Sequence, residues 1–223
     1  MYEKVLPRGS SELLAKLESL NPPELQGWTL AEGTGLALQM GHRVSEDFDF
    51  FRTDSFSPER VHETLRKIDT VGTLQEDGRT LTVIVSATKV SFFSVPDEFL
   101  YPGSLFHFFQ LADPRDIALM KLAAISGRGS RKDFIDLYTI LQGGLSLEQC
   151  FQWLPLKYGE GRVNTYHVLK SLTYFEDAER EPMPRMLDPF DWAECKNFFV
   201  REAHANVLPY PHDHPPVGNP AKD

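Results

Sequence analysis

Cysteine is scarce: Cys150 and Cys195 are the only two in 223 residues. They stand far apart, without a Cys-x-x-Cys or a nearby Cys/His ligand spacing, which argues against a disulfide framework and a zinc knuckle. A reducing cytoplasm is the expected compartment. No apolar run approaches the roughly 18 residues that cross a bilayer, and the stretch from Met1 to Arg8 has no apolar signal-peptide region. The expectation is a soluble chain with no membrane partner. Positive charge is also in deficit, since 23 Lys and Arg against 32 Asp and Glu leave a formal charge of -9 and a pI near 5.3. Such a chain is not built to coat a nucleic-acid backbone, so any polyanion site has to be a local basic patch. Gly-x-Ser-x-Gly, a Walker A loop and a paired cysteine nucleophile are all missing.

What is present is ordinary globular composition, 41% hydrophobic and 25% charged, in a length suited to one large domain or two small ones. Helical spacing behind Ser11 ends at Asn21-Pro22-Pro23. A strand candidate at 28–31 leads through Glu32-Gly33-Thr34-Gly35 into a helix over 36–40. Asp47-Phe48-Asp49-Phe50-Phe51 alternates acidic and aromatic, the period of a strand with Asp47 and Asp49 on one face and Phe48 and Phe50 in a core. A helix opening at Ser57-Pro58 and three β-rich stretches at 71–74, 81–85 and 89–95 predict a small mixed sheet. Past Tyr101-Pro102-Gly103 helical periodicity takes over, which places a boundary near residue 105. Asp113-Pro114 and Ser130 read as helix caps, and further helices are expected at 146–154, 163–173 and 191–205. The segment from Leu208 to Pro220 holds five prolines in thirteen residues, which excludes a helix or a central strand. Its His212-Asp213-His214 is a metal-binding pattern in a setting that favours disorder.

Chemistry concentrates in two places. Asp47 and Asp49 at i and i+2 lie roughly 6.6 Å apart along a strand, so their carboxylates can converge on divalent cations that bridge phosphate oxygens. A glycine turn entering a helix a dozen residues upstream offers free N–H groups and partial positive charge to a phosphate tail. The same residues would also serve a solvated strand edge and a plain turn. Between Asp113 and Lys132 five basic residues (Arg115, Lys121, Arg128, Arg131, Lys132) face two acids, the local patch that the charge arithmetic requires. Lys121 shares a helical face with Ile117 and Ala124, so a long basic side chain emerges from an apolar surface. The alternative is a lysine that reaches to solvent and an Asp133 that pairs with Ser130 in a capping box. His42 and Arg43 could contact a nucleotide or cap the preceding helix. The phenylalanines at 92, 93, 106, 108 and 109 read as packing rather than as a base-stacking platform.

The stretch Gly33-Thr-Gly-Leu-Ala-Leu-Gln-Met-Gly-His-Arg-Val-Ser-Glu-Asp-Phe-Asp-Phe-Phe51 resembles the signature of the DNA polymerase β nucleotidyltransferase superfamily, and more narrowly the AbiEii/AbiGii toxin family. The block from Asp116 to Tyr138, with Lys121, Arg128, Asp133 and Asp136, is similar to a second motif of that family, and Val90-Ser-Phe-Phe93 fits between them. The resemblance covers roughly residues 28–142. It implies an α/β mixed-sheet nucleotidyltransferase fold, and with the boundary read from the periodicity the expected division is a nucleotidyltransferase core at 1–105, a helical C-terminal region at 106–206 and a Pro-rich tail at 207–223. The implied reaction moves a nucleotidyl group from a nucleoside triphosphate to an RNA or protein acceptor, with a cognate antitoxin as a further partner. Asp47 and Asp49 would hold Mg²⁺. Gly33 and Thr34 would cradle phosphates, with Arg43 and Arg128 as further nucleotide contacts. Lys121 would neutralise developing charge and Asp133 would position or deprotonate the acceptor. Two positions depart from the pattern: Glu32 stands where the family usually has glycine, and residues 81–95 contain no acid, with Ser91 where an Asp would be expected. They ground the alternative of a degenerate nucleotidyltransferase that binds a nucleotide or partner without turnover.

Overall fold

The computed structural model describes residues 1–206. The tail at 207–223, with His212 and His214, lies outside the described residues. Seven strands form one mixed sheet in the order β3-β4-β5-β2-β1-β7-β6: β1 Thr29–Leu30, β2 Phe48–Arg52, β3 Val71–Glu76, β4 Thr80–Val85, β5 Thr88–Ser94, β6 Ser104–Phe106 and β7 Phe109–Leu111. The β2–β5 and β1–β7 pairs are parallel and the remaining pairs antiparallel. Helices α1 Arg8–Leu20 and α2 Glu32–Met40 precede β2, and α3 Pro58–Arg66 follows it. The rest of the chain is helical: α4 Pro114–Gly127, α5 Arg131–Gln142, α6 Leu147–Tyr158, α7 Thr165–Ser171, α8 Glu176–Arg180 and α9 Trp192–Ala205. No helix of the described residues is long and apolar enough to cross a membrane.

Alternation along the strands decides which face is core. Phe48 and Phe50 of β2, Leu81, Val83 and Val85 of β4, and Val90 and Phe92 of β5 are buried against Leu13, Leu17, Val61 and Leu65 of α1 and α3. The opposite face of the same strands presents Asp49, Phe51, Thr82, Ser91 and Phe93 to a cleft. A second apolar core, built around Ile117, Leu122, Phe134, Leu137 and Phe199, holds the helices together. Helix α2 joins the two cores, since Leu36 packs into the helical one and Ala37 and Leu38 into the sheet one.

The sheet continues past the boundary expected near residue 105, which falls inside the β6–β7 hairpin. The change from strand to helix comes at Asp113, whose side chain accepts from Arg115 N as α4 begins with Pro114. Helix α2 starts at Glu32, so Gly33 and Gly35 lie within it and not in a preceding turn. The glycines serve close packing there. A Cβ on Gly35 would stand 2.8 Å from the Leu30 carbonyl oxygen, and one on Gly33 would stand 2.4 Å from Arg43 Nη2.

Candidate functional site

A cleft of about 730 Å³ opens between the polar sheet face, the N-terminus of α2, and helices α4 and α5. Gly33, Thr34, Arg43, Asp47, Asp49, Lys121, Arg128 and Asp133 all line it. The two sequence blocks therefore meet in space, although Asp49 and Lys121 are far apart in the chain.

Strand β2 and the residue just before it put Asp49 and Asp47 on the cleft side because Phe48 and Phe50 fill the core. Asp49 stands directly beside Ser91 of β5, and the pairing continues through Thr82 of β4 to Gln75 of β3. A neutral polar row thus crosses roughly 14 Å of sheet from Asp49 to the edge strand. Burial pushes the Asp49 carboxyl above the usual carboxylate range; Ser91 and Lys89 oppose the shift, while Glu32 and Asp47 add to it. Lys89, unmarked by the sequence reading, places Nζ 2.9 Å from Asp47 Oδ2. Among the described residues no cluster of three or more His, Cys, Asp or Glu is set to hold a metal ion. The donor set that could hold one is Asp47 and Asp49. Two carboxylates suit Mg²⁺, which usually keeps several waters and takes substrate phosphates as its other ligands, and a cation there would favour the charged Asp49 carboxylate that burial disfavours.

Lys121 does not emerge to solvent as its apolar helix face suggests. It is buried, with Nζ 2.5 Å from Glu32 Oε2, 2.9 Å from Asp133 Oδ1 and 3.2 Å from Asp136 Oδ2. Burial alone would push its pKa down, but the Glu32, Asp136 and Asp133 carboxylates outweigh that and hold it well above the ordinary lysine value. Asp133 also accepts from Ser130 Oγ at 2.7 Å, while its own N–H donates to Ser130 Oγ as the α5 cap forms. Capping and the contact with Lys121 coexist at this residue.

Asp136, one turn beyond Asp133 and so on the same helix face, is the hub beneath the cleft. Arg43 grips it with two hydrogen bonds, Nε to Oδ1 at 2.7 Å and Nη2 to Oδ2 at 2.8 Å, and His42 Nε2 lies 2.9 Å from Oδ1. Burial would raise the Asp136 pKa, yet Arg43 and Lys121 win and keep it far below the usual range. Arg43 thus borders the cleft while bound to Asp136, and Gly33 is the residue that leaves room for its guanidinium. The Thr34 hydroxyl is bound to Ser45 Oγ and the Asp47 carbonyl, which pins α2 to the start of β2. A phosphate would therefore meet the amides at the head of α2, not the Thr34 hydroxyl. The helical ladder begins with Gly35 N donating to Ala31 O at 3.2 Å, and the amides before it are those a helix leaves without an intrahelical partner.

The basic block divides. Arg115 is held by Asp113 and lies over Tyr101, and Arg131 is held by Glu181 and by the Ala178 and Glu179 carbonyls. Arg128 and Lys132 are exposed on the cleft rim and form no ion pair among the described residues. The aromatics divide as well. Phe92, Phe106 and Phe109 are core, as expected, whereas Phe93 lines the cleft and stacks on Phe51 with centroids 5.1 Å apart.

Glu32 has φ +55, and of the five non-glycine residues with positive φ among the described ones it is the one that lines the cleft. An L-residue held there costs about 1–2 kcal/mol, so surrounding contacts must maintain it.

The family model described as nucleotidyl transferase AbiEii toxin, type IV TA system, matches residues 17–214. An uncharacterized protein of Aquifex aeolicus (strain VF5) is 36% identical over 211 residues, covering 88% of this chain and 95% of that relative. Among solved structures, the nucleotidyltransferase toxin MenT4 from Mycobacterium tuberculosis H37Rv superposes with a TM-score of 0.56 at 19% identity, covering 87% of this chain and 82% of that one. JHP933 from Helicobacter pylori does so at 0.51 and 12% identity, covering 88% and 89%. At these identities the two structures attest the fold alone.

Proposed function

The chain belongs to the AbiEii nucleotidyl transferase toxin family, and we propose on that premise that its cleft transfers a nucleotidyl group from a nucleoside triphosphate to an RNA or protein acceptor, releasing pyrophosphate. The observation that carries this reading is the convergence of Asp47 and Asp49 with Lys121 and Asp133 around one cleft that also holds the head of α2. A toxin role, opposed by a cognate antitoxin, follows from the family.

In this reading Asp47 and Asp49 hold Mg²⁺, which when bound would neutralise phosphate charge and activate the site for in-line displacement. The amides at the head of α2 and the Lys121 ammonium receive the triphosphate and stabilise the charge that gathers on the leaving pyrophosphate. Asp133, held by Ser130 and Lys121, orients the acceptor hydroxyl and takes its proton. Phe51 and Phe93 supply an apolar ledge for a base. Arg128 and Lys132 are placed to meet acceptor or nucleotide phosphates at the rim.

The binding-module alternative is favoured by one observation, the Ser91 hydroxyl beside Asp49 where a third carboxylate would stand. Incubating the protein with Mg²⁺, labelled nucleoside triphosphates and total RNA or protein separates the readings. Label transferred to a macromolecule supports the transferase, retained label without transfer supports the binding module, and shortened RNA would point to a nuclease.

A further inference from the structure

We propose that Glu32 is an internal occupant of the phosphate seat: its carboxylate holds Lys121 in place of an anionic ligand, and a polyphosphate binds by displacing it. This deepens the reading above and rests on it, because it requires that the cleft take a polyphosphate.

Three carboxylates surround the Lys121 ammonium, and they are not equivalent. Asp133 and Asp136 are 3% and 0% exposed, and each is held from other directions, Asp133 by Ser130 and Asp136 by Arg43 and His42. Glu32 is 24% exposed, and among the described residues Lys121 is its one ion-pair partner. Of the three, Glu32 is the carboxylate that can leave without opening the buried network. Its backbone supports the same conclusion, since φ +55 is a conformation that a glutamate adopts only under constraint. Glu32 is the first residue of α2 and lines the cleft together with Gly33 and Thr34, so an anion drawn to the helix head meets the Glu32 carboxylate already on the lysine.

Asp133 and Asp136 stay on the ammonium through the exchange, so the lysine remains buried and paired before and after the ligand arrives. Glu32 is thus a specificity residue. A weak monoanion gains little by replacing a carboxylate, whereas a polyphosphate offers several oxygens to Lys121 and the α2 amides at once.

The test is calorimetric titration of inorganic tripolyphosphate into the full chain, wild type, Glu32→Gln and Glu32→Gly, with melting curves as the folding control. Removal of the competing carboxylate predicts binding about tenfold tighter in both variants. Glu32→Gly additionally suits the left-handed backbone, so it keeps the test usable if Glu32→Gln folds poorly. A merely structural Glu32 predicts the opposite, equal or weaker binding in folded variants, and that result overturns the proposal, as does absence of binding in all three. Label transfer run on the same proteins separates the two readings. Transfer by the wild type with no gain in tripolyphosphate binding defeats the Glu32 proposal alone, while a gain in binding without transfer by any of the three defeats the transferase reading alone.

Discussion

Asp49 of β2 and Ser91 of β5 stand side by side in parallel register, so a hydroxyl fills the place from which a neighbouring strand could supply another metal-binding carboxylate. Ser91→Asp should rebuild a three-carboxylate site. Without metal the variant should melt lower than wild type, because a third acid joins a pair in which Asp49 already ionises reluctantly. Mg²⁺ should then raise its melting temperature by several degrees more than it raises that of the wild type. Equal shifts in the two proteins would show that the Asp49–Ser91 position does not face the metal.

Asp49 also fixes the sign of a pH effect. Its folded-state pKa lies above the ordinary value, so in the window between the two the folded chain binds the extra proton, and stability falls as pH rises through that window. Asp49→Asn deletes this cost and should melt slightly higher than wild type at neutral pH, with the advantage vanishing below the ordinary carboxylate pKa. A lower melting temperature at neutral pH would mean that the Asp49 charge supports the fold.

Asp136 behaves in the opposite sense. Arg43 and Lys121 hold its pKa below the unfolded value despite burial, so its contribution is present above the ordinary carboxylate pKa and is lost as pH falls toward the folded one. Asp136→Asn leaves Arg43 and Lys121 with a buried neutral partner and should cost roughly 3–5 kcal/mol, the range for breaking a buried pair. Urea denaturation at neutral pH measures it, and a loss below about 1 kcal/mol would contradict the hub assignment.

In the proposed reading Phe93 stands under the base and the α2 amides and Lys121 take the phosphates. Phe93→Ala should weaken nucleoside triphosphate binding by about 1–3 kcal/mol, the scale of base–aromatic stacking, and leave inorganic tripolyphosphate binding unchanged. Equal weakening of both ligands would place Phe93 in the scaffold and not under the base.

Much of this site is visible in the linear sequence because it is written in local periods. The alternation at 47–51 gives both the strand and the shared face of Asp47 and Asp49, and Asp113-Pro114 and Ser130 mark the starts of the helices that carry Lys121 and Asp133. What the sequence hides is set by partners distant in the chain. Asp136 becomes a hub through Arg43, 93 residues earlier, and Lys89 meets Asp47 only after β5 pairs with β2. Gly33 and Gly35 suggest a turn by composition, yet they belong to α2, where Arg43 and the Leu30 carbonyl leave no room for a Cβ. Strands β6 and β7 escape notice at three residues each, too short for a period to show. Lys121 looks like an exposed cation on an apolar face because nothing near it in sequence announces the three carboxylates that bury it.

The most direct test of the central claim, that one cleft performs nucleotidyl transfer, compares wild type with Asp49→Asn using triphosphates labelled at the α-phosphate in the presence of Mg²⁺ and total RNA or protein. The account predicts macromolecular label matched by pyrophosphate release in the wild type, and a fall of several orders of magnitude in the folded variant, since loss of the metal forfeits several kcal/mol of transition-state stabilisation. Full transfer by Asp49→Asn, or no transfer by a wild type that is folded and supplied with its acceptors, would contradict it.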